Sequence, residues 1–102
     1  MNKGNEAATK KLIDIILRTP DHSITVQDEE EIVLRRSRDA GKIFSKLDTT
    51  SEDYLAIWSE SQGKYIGTFV LIYDNADDGS EVISDYTYNP ICQGIFNEWE
   101  AK

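Results

Sequence analysis

A single cysteine, Cys92, excludes an intramolecular disulfide framework. His22 is the only histidine, so the chain also lacks the nitrogen and sulfur ligands of a tetrahedral zinc site. A catalytic Cys–His pair would have to be Cys92 with His22. Cys92 stands near the start of an expected helix, where the backbone dipole lowers a thiol pKa. Its apolar neighbours Ile91 and Ile95 suit an ordinary buried cysteine equally well. His22 follows Pro20-Asp21 and reads as a solvated turn residue. The six glycines are scattered and build no phosphate cradle, and no serine lies in a nucleophile-elbow context. Carboxylates are abundant, but spacing singles out none as an acid–base pair. The expectation is a protein that is not an enzyme, with no catalytic residues and no cofactor.

Positive charge is also scarce. Nineteen acidic residues against eleven basic ones leave a net charge of −8. Neutralising phosphates needs lysine and arginine, so direct nucleic-acid binding and attachment to anionic membranes are both disfavoured. The acidity serves solubility, or it imitates a polyanion and occupies a nucleic-acid-binding site on another protein. No apolar run approaches the ~20 residues of a membrane-spanning helix. Met1-Asn-Lys-Gly is polar, and the apolar segment after it is broken by Asp14 and has no small-residue cleavage pattern. A secretory leader is therefore not expected, and a reducing, cytoplasmic location is.

What the sequence does contain is one strong apolar strand. Tyr65-Ile-Gly-Thr-Phe-Val-Leu-Ile-Tyr73 is rich in β-branched and aromatic residues. Strict alternation puts Tyr65, Gly67, Phe69, Leu71 and Tyr73 on one side and Ile66, Thr68, Val70 and Ile72 on the other. Both sides are apolar, so the strand belongs at the centre of a sheet with something covering each face. A length of 102 residues makes one domain, residues 1–102, able to bury about 65% of its unfolded surface.

Around that strand, Asn5 or Thr9 is expected to cap a helix to about Arg18, ended by Thr19-Pro20. Ser23–Gln27 and Glu31–Arg35 read as a hairpin across the polar turn Asp28-Glu29-Glu30, with its register open. Ser37 or Asp39 caps a short helix carrying Ile43, Phe44 and Leu47. Tyr54–Ser59 alternates as a third strand, with Tyr54, Ala56 and Trp58 on one face. It returns through Glu60–Lys64, where Gly63 suits a hairpin loop. Glu81–Tyr88 is partly strand, and Asn89-Pro90 opens a last helix with Ile91, Ile95, Phe96 and Trp99. The fold class is α+β, in the order α-β-β-α-β-β-(β)-α. The antiparallel or mixed sheet has four to five strands and helices mainly on one face.

Three groups of residues are candidate sites. The aromatic set Tyr54, Trp58, Tyr65, Phe69 and Tyr73 suits a protein-binding face, with Trp58 and Phe69 expected to pair across their hairpin. The basic run Arg35, Arg36 and Arg38, followed by Lys42 and Lys46, is the only concentration of positive charge. In so acidic a chain it is complementary to the Asp28–Glu31 turn of a second copy, which would give a homodimer. Asp74, Asp78, Gly79 and Asp85 fall at positions 1, 5, 6 and 12 of a calcium-loop spacing. Ala76 occupies a ligand position and the flanks read as strands, so this is a weak divalent-metal or small-ligand candidate beside an ordinary acidic turn.

From Ser23 onward the chain resembles a family of small uncharacterised proteins encoded by bacteriophages, prophages and their bacterial hosts. The residues carrying the likeness are Ile24–Glu30, Val33–Ser37, Thr50–Leu55, Gly67–Asn75 and, most specifically, Glu81-Val-Ile-Ser-Asp-Tyr-Thr-Tyr-Asn89. The resemblance implies a mobile-element origin, a host-cytoplasm location and action by binding a host protein. It assigns no activity and no functional residues.

Overall fold

The computed structural model describes residues 1–73 and 76–101. The elements run α1 (Lys3–Leu17), β1 (His22–Gln27), β2 (Ile32–Ser37), α2 (Ala40–Ser45), β3 (Glu52–Ser59), β4 (Lys64–Ile72), β5 (Ile83–Tyr86) and α3 (Pro90–Glu100). The five strands form one antiparallel sheet in the order β2-β1-β3-β4-β5, an α+β fold.

Register decides what each face carries. Ile24 pairs with Ile57, Val26 with Leu55, Leu55 with Phe69 and Phe69 with Tyr86, so these residues share one side. Leu12, Ile13 and Ile16 of α1, Ile43 of α2 and Cys92, Ile95 and Trp99 of α3 close over that side to make a single core. An aromatic file ties the layers together. Phe69 stacks on Tyr86, Tyr86 on Phe96, and Phe96 leans on Trp99, whose indole N–H donates to the Ala8 carbonyl of α1 at 2.9 Å.

Helix ends follow local chemistry in two cases and tertiary demand in a third. Asn89 caps α3 by accepting the Cys92 amide at 2.8 Å, with Pro90 in the first turn as expected. Asp39, the second of the two candidates, caps α2. The cap of α1 is Asn2, which accepts the Asn5 amide; Asn5 and Thr9 lie inside the helix and are buried. The side-chain amide of Asn5 donates to the Tyr73 carbonyl at the end of β4, so it bonds the sheet instead of starting the helix. Gly4 and Gly79 let that first turn press against the turn at Asp77–Gly79. A Cβ on Gly4 would collide with the Asp77 carbonyl, and Gly79 has φ +82°.

His22 is buried as the first residue of β1, not solvated: it pairs with Ser59 of β3, and the Arg38 guanidinium lies on its carbonyl. The buried line of α3 is Cys92, Ile95 and Trp99, while Ile91 turns outward and is 47% exposed. None of the helices is long and apolar enough to cross a membrane, among the described residues.

Candidate interaction surface

Among the described residues, no helix lies over the other side of the sheet. Glu52, Tyr54, Ala56 and Trp58 of β3 are only half-buried, alternating with Asp53, Leu55, Ile57 and Ser59 beneath the helices. Thr68, Val70 and Ile72 repeat the pattern on β4. Thr25 and Ala56 and then Thr68 lie opposite one another across three strands, a row of small residues through the middle. Tyr54 lies above that row beside Val70, and Trp58 below it beside Tyr65.

Tyr65 reaches this face through a β-bulge. Trp58 pairs with Tyr65, while the preceding Ile57 pairs with Gly67, leaving Ile66 as the extra residue. One inserted residue reverses every side chain beyond it. Tyr65 is therefore parted from Phe69 and Tyr73, and strict alternation along 65–73 fails at its first step. Its ring meets Trp58 in a T-shaped contact at 5.7 Å, and its hydroxyl lies 2.5 Å from that of Thr68. The Trp58–Phe69 pair expected from the hairpin does not form, because Phe69 faces Leu55 in the core.

Of the five aromatic candidates, Tyr54, Trp58 and Tyr65 are thus brought together on the open face. Phe69 is fully buried and Tyr73 nearly so, which removes both from any surface. Tyr73 donates its hydroxyl at 2.6 Å to the buried Asp53, and burial pushes the Tyr73 phenol far up. Burial likewise raises the Asp53 carboxyl, partly countered by the bonds from Tyr73 and the Asp48 amide. The Glu52 carboxylate beside Tyr54 pushes that phenol up too.

The three arginines separate. Arg36 lies over the Trp58 ring, 5.5 Å from its centroid, and pairs with Glu60 at 2.7 Å. Its φ of +44° belongs to an irregular stretch of β2 where the ladder to β1 shifts register twice. Arg35 is exposed and makes no hydrogen bond or ion pair among the described residues. Arg38 is exposed but is engaged within the chain. Its guanidinium donates to the Thr19, His22 and Leu17 carbonyls, closing the end of α1 onto β1. That cap is a long-range contact with no local signal in the sequence.

Ile32, next to the β1–β2 turn and 39% exposed, extends the open face at a position the sequence reading left aside. The strand's own pattern, two apolar faces with helices enough for one, was the signal for it.

Of the metal candidates, Asp78 and Asp85 each bond a neighbouring backbone amide. Asp74 lies outside the described residues. Asp78 accepts the Ser80 amide at 2.9 Å, and Asp85 accepts the Tyr86 amide at 2.8 Å. Among the described residues, no group of three or more His, Cys, Asp and Glu side chains is placed to hold a metal ion. Cys92 is fully buried beneath Gly67 and burial raises its thiol pKa, the opposite of an activated nucleophile. A cleft of about 540 Å³ opens where β1, β3 and β4 meet the start of α3, lined by His22, Ser59, Lys64, Tyr65 and Ile91. Cys92 is not in it. Asp21, also in its wall, is occupied by the Ser59 hydroxyl and the Ser61 amide, which hold its carboxyl below the usual range.

No protein-family model, curated protein or solved structure matches this chain. The surface must therefore be read on its own chemistry.

Proposed function

We propose that this chain is a small, acidic, non-catalytic protein of phage or prophage origin, working in the host cytoplasm by binding and modulating a host protein. One observation carries the reading: Tyr54, Trp58 and Tyr65 stand together on a sheet face that no helix covers. Tyrosine, tryptophan and arginine are the side chains over-represented at binding hot spots, and Arg36 over Trp58 adds the third type. The origin rests on the resemblance centred on Glu81–Asn89.

Imitation of a nucleic acid is the weaker reading. Its carboxylates should line one face, but they are spread over α1 (Asp14), the β1–β2 turn (Glu29, Glu30, Glu31), α2's cap (Asp39) and α3 (Glu98, Glu100). Several are also engaged within the chain: Asp28 accepts the Glu30 and Glu31 amides, and Glu98 pairs with Arg18.

The test is capture from host extract with the wild-type chain, with Trp58→Asp and Tyr65→Asp as face variants, and with Ile91→Asp as an exposed control elsewhere. The reading expects a defined protein bound by wild type and Ile91→Asp and lost from both face variants. Equal capture by all four chains would remove it.

A further inference from the structure

The cleft at the start of α3 is built on one row of the sheet. Strand register sets His22 of β1 opposite Ser59 of β3, and Ser59 opposite Lys64 of β4. Residues directly opposite across a ladder share a side, and Ser59 lies on the helix side. Three polar side chains therefore cross the end of the sheet beside the first turn of α3. Tyr65, Ile66 and Ile91 supply apolar wall. Tyr65 and Ile91 are each about half-exposed, among the few large apolar side chains the fold leaves open. The volume of about 540 Å³ falls within the ~300–1,000 Å³ of small-molecule sites, which are mostly apolar with a few placed polar groups.

Those polar groups are not equally engaged. The acceptors in the wall are in use. Asp21 takes the Ser59 hydroxyl at 2.5 Å and the Ser61 amide at 2.7 Å, and Asn89 Oδ1 takes the Cys92 amide. The donors are not. Lys64 is exposed and makes no hydrogen bond or ion pair among the described residues. His22 is 8% exposed, and neither ring nitrogen bonds a described residue. Its Nδ1 is enclosed, which leaves Nε2 for the cleft. The start of α3 adds the positive end of a helix dipole. Free donors beside spent acceptors select a ligand whose head group accepts.

We propose that this cleft binds a small carboxylate with an apolar body. The carboxylate lies over Ser59, taking hydrogen bonds from the Lys64 ammonium and His22 Nε2–H, and the body packs against Ile66 and Ile91. Hydrogen bonds to an ionised group are the strong ones. A cationic head would meet Lys64 as a like charge. The −8 charge of the chain does not oppose the anion locally, because Asp21 is the one acid in this wall and Lys64 balances it. A second cleft shares His22, Pro90 and Ile91, but its one cation, Arg18, is already paired with Glu98. The site goes beyond the open sheet face and shares only Tyr65 with it.

Three probes of similar body test this: phenylacetate, phenethyl alcohol and phenethylamine. Each is titrated to about 10 mM, enough to read millimolar dissociation constants, into isotope-labelled full-length chain and followed by amide chemical shifts. Saturable shifts are expected at His22, Lys64 and Ile91, with Tyr54 and Ala56 on the open face unmoved. Phenylacetate should bind about tenfold more tightly than the alcohol or the amine, the ratio for one hydrogen bond to a charged group. Lys64→Met, at an exposed position, should bring the acid down to the affinity of the alcohol and leave the alcohol unchanged. Ile91→Ser should weaken both. Absence of a saturable shift at the three amides would overturn the proposal, as would an alcohol or amine that binds as tightly as the acid. A preference for the acid that survives Lys64→Met would overturn it too. Capture of a host protein by the open face is a separate measurement, and neither result decides the other.

Discussion

Trp58 and Tyr65 meet edge to face on the uncovered side of the sheet, 5.7 Å between ring centroids, only because Ile66 bulges out of β4. The bulge turns Tyr65 from the side of Phe69 to that of Trp58 and gives Trp58 an aromatic neighbour. Aromatic pairs of this geometry are worth about 0.5–1.5 kcal/mol beyond buried area. A double-mutant cycle with Trp58→Ala and Tyr65→Ala, read by urea unfolding, should return a coupling of about that size. Additive effects would mean that the pair does not form in solution.

The two faces of one hairpin should differ sharply in what truncation costs. Phe69 is enclosed by Leu55, Tyr86 and the helices, so Phe69→Ala should cost about 3–5 kcal/mol. Tyr54→Ala, on the open face, should cost about 1 kcal/mol, the middle of the range for ordinary point substitutions. Urea midpoints of the two variants decide it, and equal losses would contradict the one-sided packing of helices.

Gly67 holds the space that Cys92 fills. A Cβ on Gly67 would lie 2.5 Å from Cys92 Sγ and 3.1 Å from Thr87 Cβ. Gly67→Ala should therefore cost about 1–3 kcal/mol as overpacking. Cys92→Ala made in the same chain should recover part of that loss, because it removes the nearer obstacle. A cycle over the two sites, measured by thermal unfolding, checks the sign of the coupling.

Asp53 sets one pH response against that of three other carboxylates. Burial raises its folded pKa above the unfolded value. Its stabilising share is thus complete below the ordinary carboxylate pKa of about 4 and is lost as pH rises through the folded value. Asp21, Asp28 and Glu60 have depressed pKa values through their hydrogen bonds, and their shares are lost as pH falls. The stability difference between Asp53→Asn and wild type should therefore move toward the variant from pH 4 to pH 7, by differential scanning calorimetry. A difference that stays constant over that range would contradict a buried carboxyl.

Arg35 and Arg38 stand three residues apart in one basic run and play opposite roles. Arg38→Ala strips donors from the Leu17, Thr19 and His22 carbonyls and should cost about 1–3 kcal/mol, the range for hydrogen bonds to a charged group. Arg35→Ala, exposed and unbonded among the described residues, should stay within about 0.5 kcal/mol. Chemical denaturation of the two variants separates them.

What was legible in the sequence was local or periodic. Asn89-Pro90 announces α3 because cap and first-turn proline act on their own backbone. Alternation along Tyr54–Ser59 gives the faces of β3 correctly because that strand carries no extra residue. Alternation misplaces Tyr65 because the bulge at Ile66 depends on how β4 meets β3, not on β4 alone. Asn5 looks like a helix cap until Tyr73, at the far end of the chain's central strand, claims its side chain. Arg38 reads as part of a basic patch because the carbonyls it closes lie at Leu17–His22, on the far side of the β1–β2 hairpin. Register between β1 and β2 stayed open for a related reason: the ladder shifts twice within six residues, so no single alternation describes it.

The uncovered sheet face is measured most directly by carbene footprinting of the chain at a low micromolar concentration where sedimentation shows one-chain mass. Mass spectrometry then reads labelling residue by residue. Tyr54, Trp58 and Tyr65 should label well above Leu55, Phe69 and Leu71 on the same two strands. Labelling of Trp58 and Tyr65 as low as that of Phe69 would mean that the chain covers both faces itself, and the binding surface would not exist.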